Sequence, residues 1–212
     1  MSIKGRILLA DDHPVVRAGY RYLLEKAGYQ VDEVDSAESA YQFYQQNNPD
    51  IVIMDISMPG MGGLEGLRRL TARSSDVRVL IVSMYEDHTY ISRTRELGAK
   101  GYLTKNSAAE ELVTAVGDLF SGKTYYTNDI SSSGDTSQTK SIAKLATYLL
   151  SPRQFEIFCK LAEGQSATDI ARELNLSPKT VNNHRSDIMA KLQLKNSVEL
   201  SRFAIRHGII NA

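Results

Sequence analysis

Three short runs in the first half of the chain, Ile7–Ala10 (ILLA), Ile51–Met54 (IVIM) and Val79–Val82 (VLIV), contain no polar residue. A strand with one wet face alternates, so a run that is apolar at every position belongs to a strand covered on both faces, as in a parallel sheet. Gln30–Val34 and Gly101–Thr104 are weaker candidates of the same kind. Helix-length stretches lie between them; in residues 14–27, Val16, Tyr20, Leu23, Leu24 and Ala27 recur at helical spacing. Ser107–Glu110 (SAAE) is a capping-box pattern that opens the last of these helices. Five strands alternating with five helices predict an α/β fold, a doubly wound five-stranded parallel sheet with right-handed crossovers. Chemistry in such sheets sits at the carboxyl ends of the strands, near the topological switch point.

The pattern changes after Asn128. Asn128–Ser141 (NDISSSGDTSQTKS) is polar and almost free of large apolar residues, and cannot bury enough surface to order itself, so it reads as a flexible linker. Beyond it the periodicity is helical only. Ser151-Pro152 with Gln154, and Ser177-Pro178, each place a capping hydroxyl before a proline at the first helical position. Ser166 with Asp169 is a third start of the same type. Helices are expected near 152–163, 167–174, 178–192 and 197–207, and short helices joined by tight turns make a small all-α helix-turn-helix domain. The expected organisation is 1–124, a linker over 125–147, and 148–212.

Net charge is zero but unevenly placed. Residues 1–125 carry 14 Lys+Arg against 17 Asp+Glu, a balance of −3, and residues 146–212 carry 9 against 6, a balance of +3. An acidic front and a basic back point to different partners, nucleic acid being one candidate for the second. Cys159 is the single cysteine and lies among Ile157, Phe158 and Leu161, so it is expected in the core and fits a reducing compartment. No apolar run reaches membrane-spanning length and MSIKGRILL is too short for a signal peptide, so a cytoplasmic protein without membrane contact is expected.

The apolar run at 7–10 ends in two adjacent carboxylates, Asp11 and Asp12. Two like charges about 4 Å apart repel by roughly 4 kcal/mol at an effective dielectric near 20, so a cation is expected nearby. Placing the strands puts Asp55 at the end of the third, Ser83 at the end of the fourth and Lys105 just after the fifth. Acids, hydroxyl and lysine converge on one edge of the sheet. Oxygen ligands of this kind suit a hard ion such as Mg²⁺, which binds through one or two carboxylates and keeps positions open for a phosphoryl oxygen. His13 follows the acid pair and is expected to pack at the helix start.

The stretches LLADDHPVVRAG, DIVIMDISMPGMGGLEGL, VLIVSMYED and LGAKGYLTK resemble the receiver domain of bacterial response regulators, whose fold is flavodoxin-like. The resemblance spans residues 5–122. It implies that Asp55 accepts a phosphoryl group from a sensor histidine kinase. It also implies that Asp11, Asp12 and Asp55 hold Mg²⁺ with the backbone carbonyl of Ser57. Ser83 and Lys105 would engage the phosphoryl oxygens, and Tyr102 would be the aromatic that changes rotamer. Met84 stands where the family has a small residue after the switch hydroxyl, which implies an altered rate of phosphate gain or loss. Thr94 and Arg95 likewise replace small residues of the fourth helix.

The stretch LSPRQFEIFCKLAEGQSATDIARELNLSPKTVNNHRSDIMAKLQLKN resembles the LuxR-type helix-turn-helix of the NarL/FixJ response regulators. Ile170, Leu174, Val181, Ile188 and Leu192 would form its core, Ala171 would let two helices approach, and His184 would pack. The resemblance places helix 178–192 in the DNA major groove. Ser177, Lys179 and Thr180 would meet phosphates, while Asn182, Asn183, Arg185 and Ser186 would approach base edges, with Lys191 on the same basic face. Relatives often carry lysine at 182 and 186, so these amide and hydroxyl side chains imply modest affinity per subunit. The helix 197–207, with Val198, Leu200, Ser201, Ala204 and Ile205, matches one that pairs subunits on DNA.

The resemblance implies a transcription regulator with a histidine kinase, promoter DNA and a second copy of itself as partners, and RNA polymerase as a further one. It implies no enzyme beyond Mg²⁺-dependent phosphoryl acceptance on its own aspartate. An aspartyl phosphatase of the haloacid-dehalogenase type wants an acid two positions after the nucleophile, where this chain has Ser57. A receiver protein that works through protein contact, its helical domain not binding DNA, is the alternative.

Overall fold

A computed structural model describes residues 3–85, 88–107, 109–127, 149–207 and 209–210. The chain divides into two compact units. The first is built on β1 (Arg6–Ala10), β2 (Gln30–Val34), β3 (Ile51–Asp55), β4 (Val79–Ser83), β5 (Gly101–Thr104) and β6 (Tyr125–Tyr126). Between the strands run α1 (Pro14–Lys26), α2 (Ala37–Asn47), α3 (Gly63–Arg73), α4 (His88–Glu96) and α5 (Ala109–Phe120). All pairings are parallel and the sheet order is β2-β1-β3-β4-β5-β6. The order reverses between β1 and β3, and the acids stand at that switch point.

Every residue of β3 and β4 is buried. Ile7, Leu9, Ile51, Ile53, Leu80 and Val82 pack with Leu24 of α1 and with Leu112, Ala115, Val116 and Leu119 of α5 in one core. Leu8, Val52, Met54 and Ile81 alternate with them and are also buried, so both faces are covered, as uninterrupted apolar runs require.

The sheet has six strands rather than the five expected. Tyr125 and Tyr126, at the start of the segment assigned to the linker, pair with Gly101 and Tyr102 at the sheet edge. Two residues are too few for any periodicity to mark them. The polar stretch 128–141 lies outside the described residues, as does Ala108 in the middle of the SAAE pattern.

The second unit contains α6 (Pro152–Ala162), α7 (Ala167–Glu173), α8 (Pro178–Leu192) and α9 (Ser197–Arg206). Each starts at an expected or closely related cap. Ser151 and Gln154 form a full capping box, and Ser166, Ser177 and Asn196 each accept a backbone N–H from the third residue on. Asn175, at φ +51°, turns the chain between α7 and α8 through the left-handed region, which asparagine tolerates. Phe155, Phe158, Cys159, Ile170, Leu174, Val181, Ile188, Leu200 and Ala204 form the interior, and Phe203 meets Phe158 edge-on at 6.2 Å. Leu192, expected in the core, is only half-buried at the last position of α8.

Candidate functional site

Sheet register assembles the site. Ala10 pairs with Met54, so Asp11 and Asp55 leave the ladder side by side. Asp55 pairs with Val82 and Ser83 with Thr104, which brings Ser83 and then Lys105 to the same edge. The Lys105 amide donates to the Ser83 carbonyl at 2.7 Å and fixes this last step.

The side chains close the cluster. Lys105 Nζ lies 2.6 Å from Asp11 Oδ2 and 2.8 Å from Asp55 Oδ2, and all three are almost fully buried. The Ser57 amide donates to Asp55 Oδ1 at 3.1 Å. Burial, reinforced by the charge of Asp11, holds the Asp55 carboxyl above the ordinary carboxylate range, against the pull of Lys105 and the Ser57 amide. Burial alone would favour a neutral Lys105, but Asp55 and Asp11 outweigh it and raise its pKa, so the ammonium stays charged. Gly63 closes the loop after β3: its N–H donates to the Ile56 carbonyl, and a Cβ there would fall 1.9 Å from the Asp55 carbonyl oxygen. Only glycine permits that approach.

The donor set fits a cation. Oxygens of Asp11, Asp12 and Asp55 and a ring nitrogen of His13 all lie within 4.8 Å of one another. Asp12 Oδ1 is buried and accepts no hydrogen bond. Three convergent carboxylates, with the His13 ring nitrogen 2.9 Å from that Asp12 oxygen, form a donor set that suits a metal ion.

Ser83 is fully buried and its hydroxyl accepts the Tyr85 amide at 3.2 Å. Tyr102 is fully buried too, its hydroxyl donating to the Tyr85 carbonyl at 2.7 Å. Met84, which follows Ser83, is 58% exposed.

Two residues near the cluster were undervalued in the sequence. His13 does not pack at the helix start: its side chain is 59% exposed and its Nδ1 sits 2.9 Å from Asp12 Oδ1 and 3.1 Å from Asp11 Oδ1. Arg17, one turn into α1, donates to the Asp11 carbonyl at 2.6 Å. Its place four residues after His13, on the same helix face, was the available signal.

On α8, Asn182, Asn183 and Ser186 are exposed, as are Ser177 and Lys179 at its start, with Thr180 half-buried. The Ser177 hydroxyl is engaged as the helix cap and lies 2.8 Å from that of Thr180, leaving its surroundings to offer backbone N–H groups. Two basic residues of this helix are hydrogen-bonded to neighbouring helices, Lys191 from an exposed position and Arg185 from a half-buried one. Lys191 Nζ donates to Gln154 Oε1 of α6 at 2.6 Å, and the Arg185 guanidinium donates to Ser197 Oγ at the start of α9. His184 is half-buried, in keeping with packing.

Two family models match the chain: the response regulator receiver domain over residues 7–117, and the luxR family of bacterial regulatory proteins over 148–204. The chain belongs to the response regulators. The regulator is 38% identical to response regulator UvrY of Escherichia coli (strain K12) over 209 residues, 97% of this chain and 96% of that protein. The crystal structure of a LuxR-family two-component response regulator from Aurantimonas sp. SI85-9A1 is 41% identical to it, with a TM-score of 0.58. That match covers 61% of this chain and 93% of the other. RcsB from Salmonella enterica serovar Typhimurium, solved bound to promoter P1flhDC with phosphomimetic BeF3⁻, is 26% identical over 95% of this chain and 98% of its own, with a TM-score of 0.58. Among the described residues no helix is long and apolar enough to cross a membrane.

Proposed function

We propose that Asp55 accepts a phosphoryl group from a sensor histidine kinase and that its phosphorylation controls promoter binding by the helical unit. The observation that carries this reading is the buried Lys105 ammonium bridging Asp11 and Asp55 beside Asp12. In the transfer, a P–N bond to the kinase histidine breaks and a P–O bond to the Asp55 carboxylate forms. Mg²⁺, held by Asp11, Asp12, Asp55 and the Ser57 carbonyl, would supply charge neutralisation for the phosphoryl oxygens. Lys105 offers a fixed charge and Ser83 a hydroxyl at the same edge, so the chain contributes positioning and electrostatics in place of a nucleophile activated by a base.

The phosphoryl group adds close to two negative charges and strong acceptors to this edge. Tyr102, held inward by the Tyr85 carbonyl, is the element we assign to sense it. The receiver is proposed to occupy 1–124 together with Tyr125 and Tyr126, which pair at its sheet edge, so the linker read from the sequence over 125–147 begins after them, and the DNA-binding domain occupies 148–212. On DNA, Lys179 and the N–H groups around Ser177 and Thr180 meet phosphates, and Asn182, Asn183 and Ser186 approach bases, amides pairing well with adenine. Arg185 and Lys191 act mainly as struts within the unit. A homodimer on DNA, contact with RNA polymerase and a cytoplasmic location complete the reading. RcsB, a relative bound to promoter DNA with a phosphomimetic, supports it.

The engagement of Arg185 and Lys191 by residues of their own unit favours a second reading, in which the helical unit acts through protein contact. Exposing the regulator to acetyl phosphate with Mg²⁺, under conditions that preserve labile esters, tests the first step by mass spectrometry. An adduct is expected on wild type and not on Asp55→Asn. A salt titration of promoter binding with and without the phosphodonor separates the two readings, since binding that falls with salt and rises with phosphorylation is expected only of the first.

A further inference from the structure

We propose that His13 is a nitrogen donor to the metal centre, so that this site binds nitrogen-seeking divalent ions such as Co²⁺ more tightly than its oxygens alone would. The inference rests on the cluster being a metal centre, as argued above.

The imidazole stands against the acids: its Nδ1 is within hydrogen-bond distance of Asp11 Oδ1 at 3.1 Å and close to Asp12 Oδ1 at 2.9 Å, positions a shared cation would also bridge. His13 is the N-cap residue of α1, yet its side chain makes no capping hydrogen bond, and at 59% exposure it is not packed. Its backbone joins the same acid: the His13 N–H donates to Asp11 Oδ1 at 2.8 Å, and Pro14 starts the helix immediately after. This local geometry aims the ring at the carboxylates.

The spacing is that of neighbouring ligands on one ion. Two donors at right angles, each about 2.1 Å from a metal, lie about 3.0 Å apart. His13 Nδ1 stands 3.1 Å from Asp11 Oδ1 and 2.9 Å from Asp12 Oδ1, and the latter oxygen accepts no hydrogen bond. His13 Nδ1 thus stands against the Oδ1 atoms of Asp11 and Asp12, while Lys105 holds the Oδ2 atoms of Asp11 and Asp55.

Donor chemistry then sets selectivity. Carboxylates and water suit Mg²⁺ and Mn²⁺, whereas imidazole adds affinity along the series toward Co²⁺ and Ni²⁺. Mg²⁺ gains little from a nitrogen and keeps water in that position.

The test uses the full chain. Pulsed EPR of bound Mn²⁺ is expected to show coupling to an imidazole nitrogen in wild type and to lose it in His13→Gln, while His88, His184 and His207 remain. In calorimetric titrations, His13→Gln should weaken Co²⁺ binding about tenfold and change Mg²⁺ binding less than about twofold. His13→Asn serves as a second variant with the same expectation. Absence of the nitrogen coupling in wild type, or equal losses for both ions, overturns the inference and leaves the metal centre standing. Failure of wild type to bind either ion, with Asp12→Asn indistinguishable from it, overturns the metal centre as well.

Discussion

Lys105 and Asp55, 50 residues apart in the chain, meet at 2.8 Å in a site closed to water on most sides. The same ammonium holds Asp11 at 2.6 Å, so one cation compensates two buried acids. Removing one partner of a buried ion pair is far costlier than the pair is beneficial, because the other charge is left without compensation. Lys105→Met should therefore destabilise the metal-free sheet unit by about 3 kcal/mol. Mg²⁺ should restore more stability to the variant than it adds to wild type, since it supplies the missing positive charge. Thermal unfolding in chelator and in Mg²⁺ checks both parts, and a variant as stable as wild type in chelator would sink the assignment.

The sheet edge was readable in the sequence because register follows from apolar runs and turns. Once β1, β3, β4 and β5 are placed, Asp11, Asp55, Ser83 and Lys105 have nowhere else to go. What escaped notice depends on where long polar side chains end. His13 turns to the acids through a hydrogen bond of its own backbone, which no periodicity encodes. Lys160 sits in the middle of α6 at 1% exposure, buried by its partner Glu173 on the next helix. Lys191 and Arg185 read as a basic surface, yet each head group is met by a residue a dozen or more positions away. Patterns of two or 3.6 residues locate a backbone, and only the packed structure locates the tip of a lysine.

Lys160 gives a second expectation. Its stem fills the interior of the helical unit and its ammonium reaches Glu173, pinning α6 to α7. Lys160→Ala removes both packing and charge and should cost about 2–3 kcal/mol in that unit. Lys160→Met keeps the stem, and its partner is 42% exposed and can return to water, so it should cost less than half as much. Chemical denaturation of the two variants gives the comparison. Equal losses would mean that the ion pair, not the stem, dominates.

On DNA the two lysines of α8 should behave differently. Lys179 is exposed at the helix start, where a phosphate contact adds one released counterion. Lys179→Ala is expected to lower the slope of log affinity against log salt by about one. Lys191→Ala should leave that slope nearly unchanged and instead lower thermal stability, because its ammonium is tied to the buried Gln154. A slope that drops equally for both would return Lys191 to the interface.

His184 sets an expected pH dependence. Burial, followed by the nearby Arg153 charge, lowers its pKa below the ordinary 6.5. Between the lowered folded value and the ordinary one, the unfolded chain binds more protons, so stability rises with pH across that window. The contribution is complete above the ordinary value and is lost as pH falls toward the folded one. His207, lowered chiefly by burial, acts in the same direction. Glu156 opposes both: burial raises its carboxyl above the ordinary 4.5, so it removes stability as pH climbs from that value. The net profile mixes these signs, and the difference between wild type and His184→Gln isolates one of them. Hydrogen exchange of the α8 amides, corrected for intrinsic rate, should show wild type losing protection below about pH 6.5 faster than His184→Gln, the window in which an unshifted histidine takes its proton. Parallel profiles would mean that His184 is as free to protonate in the folded unit as in water.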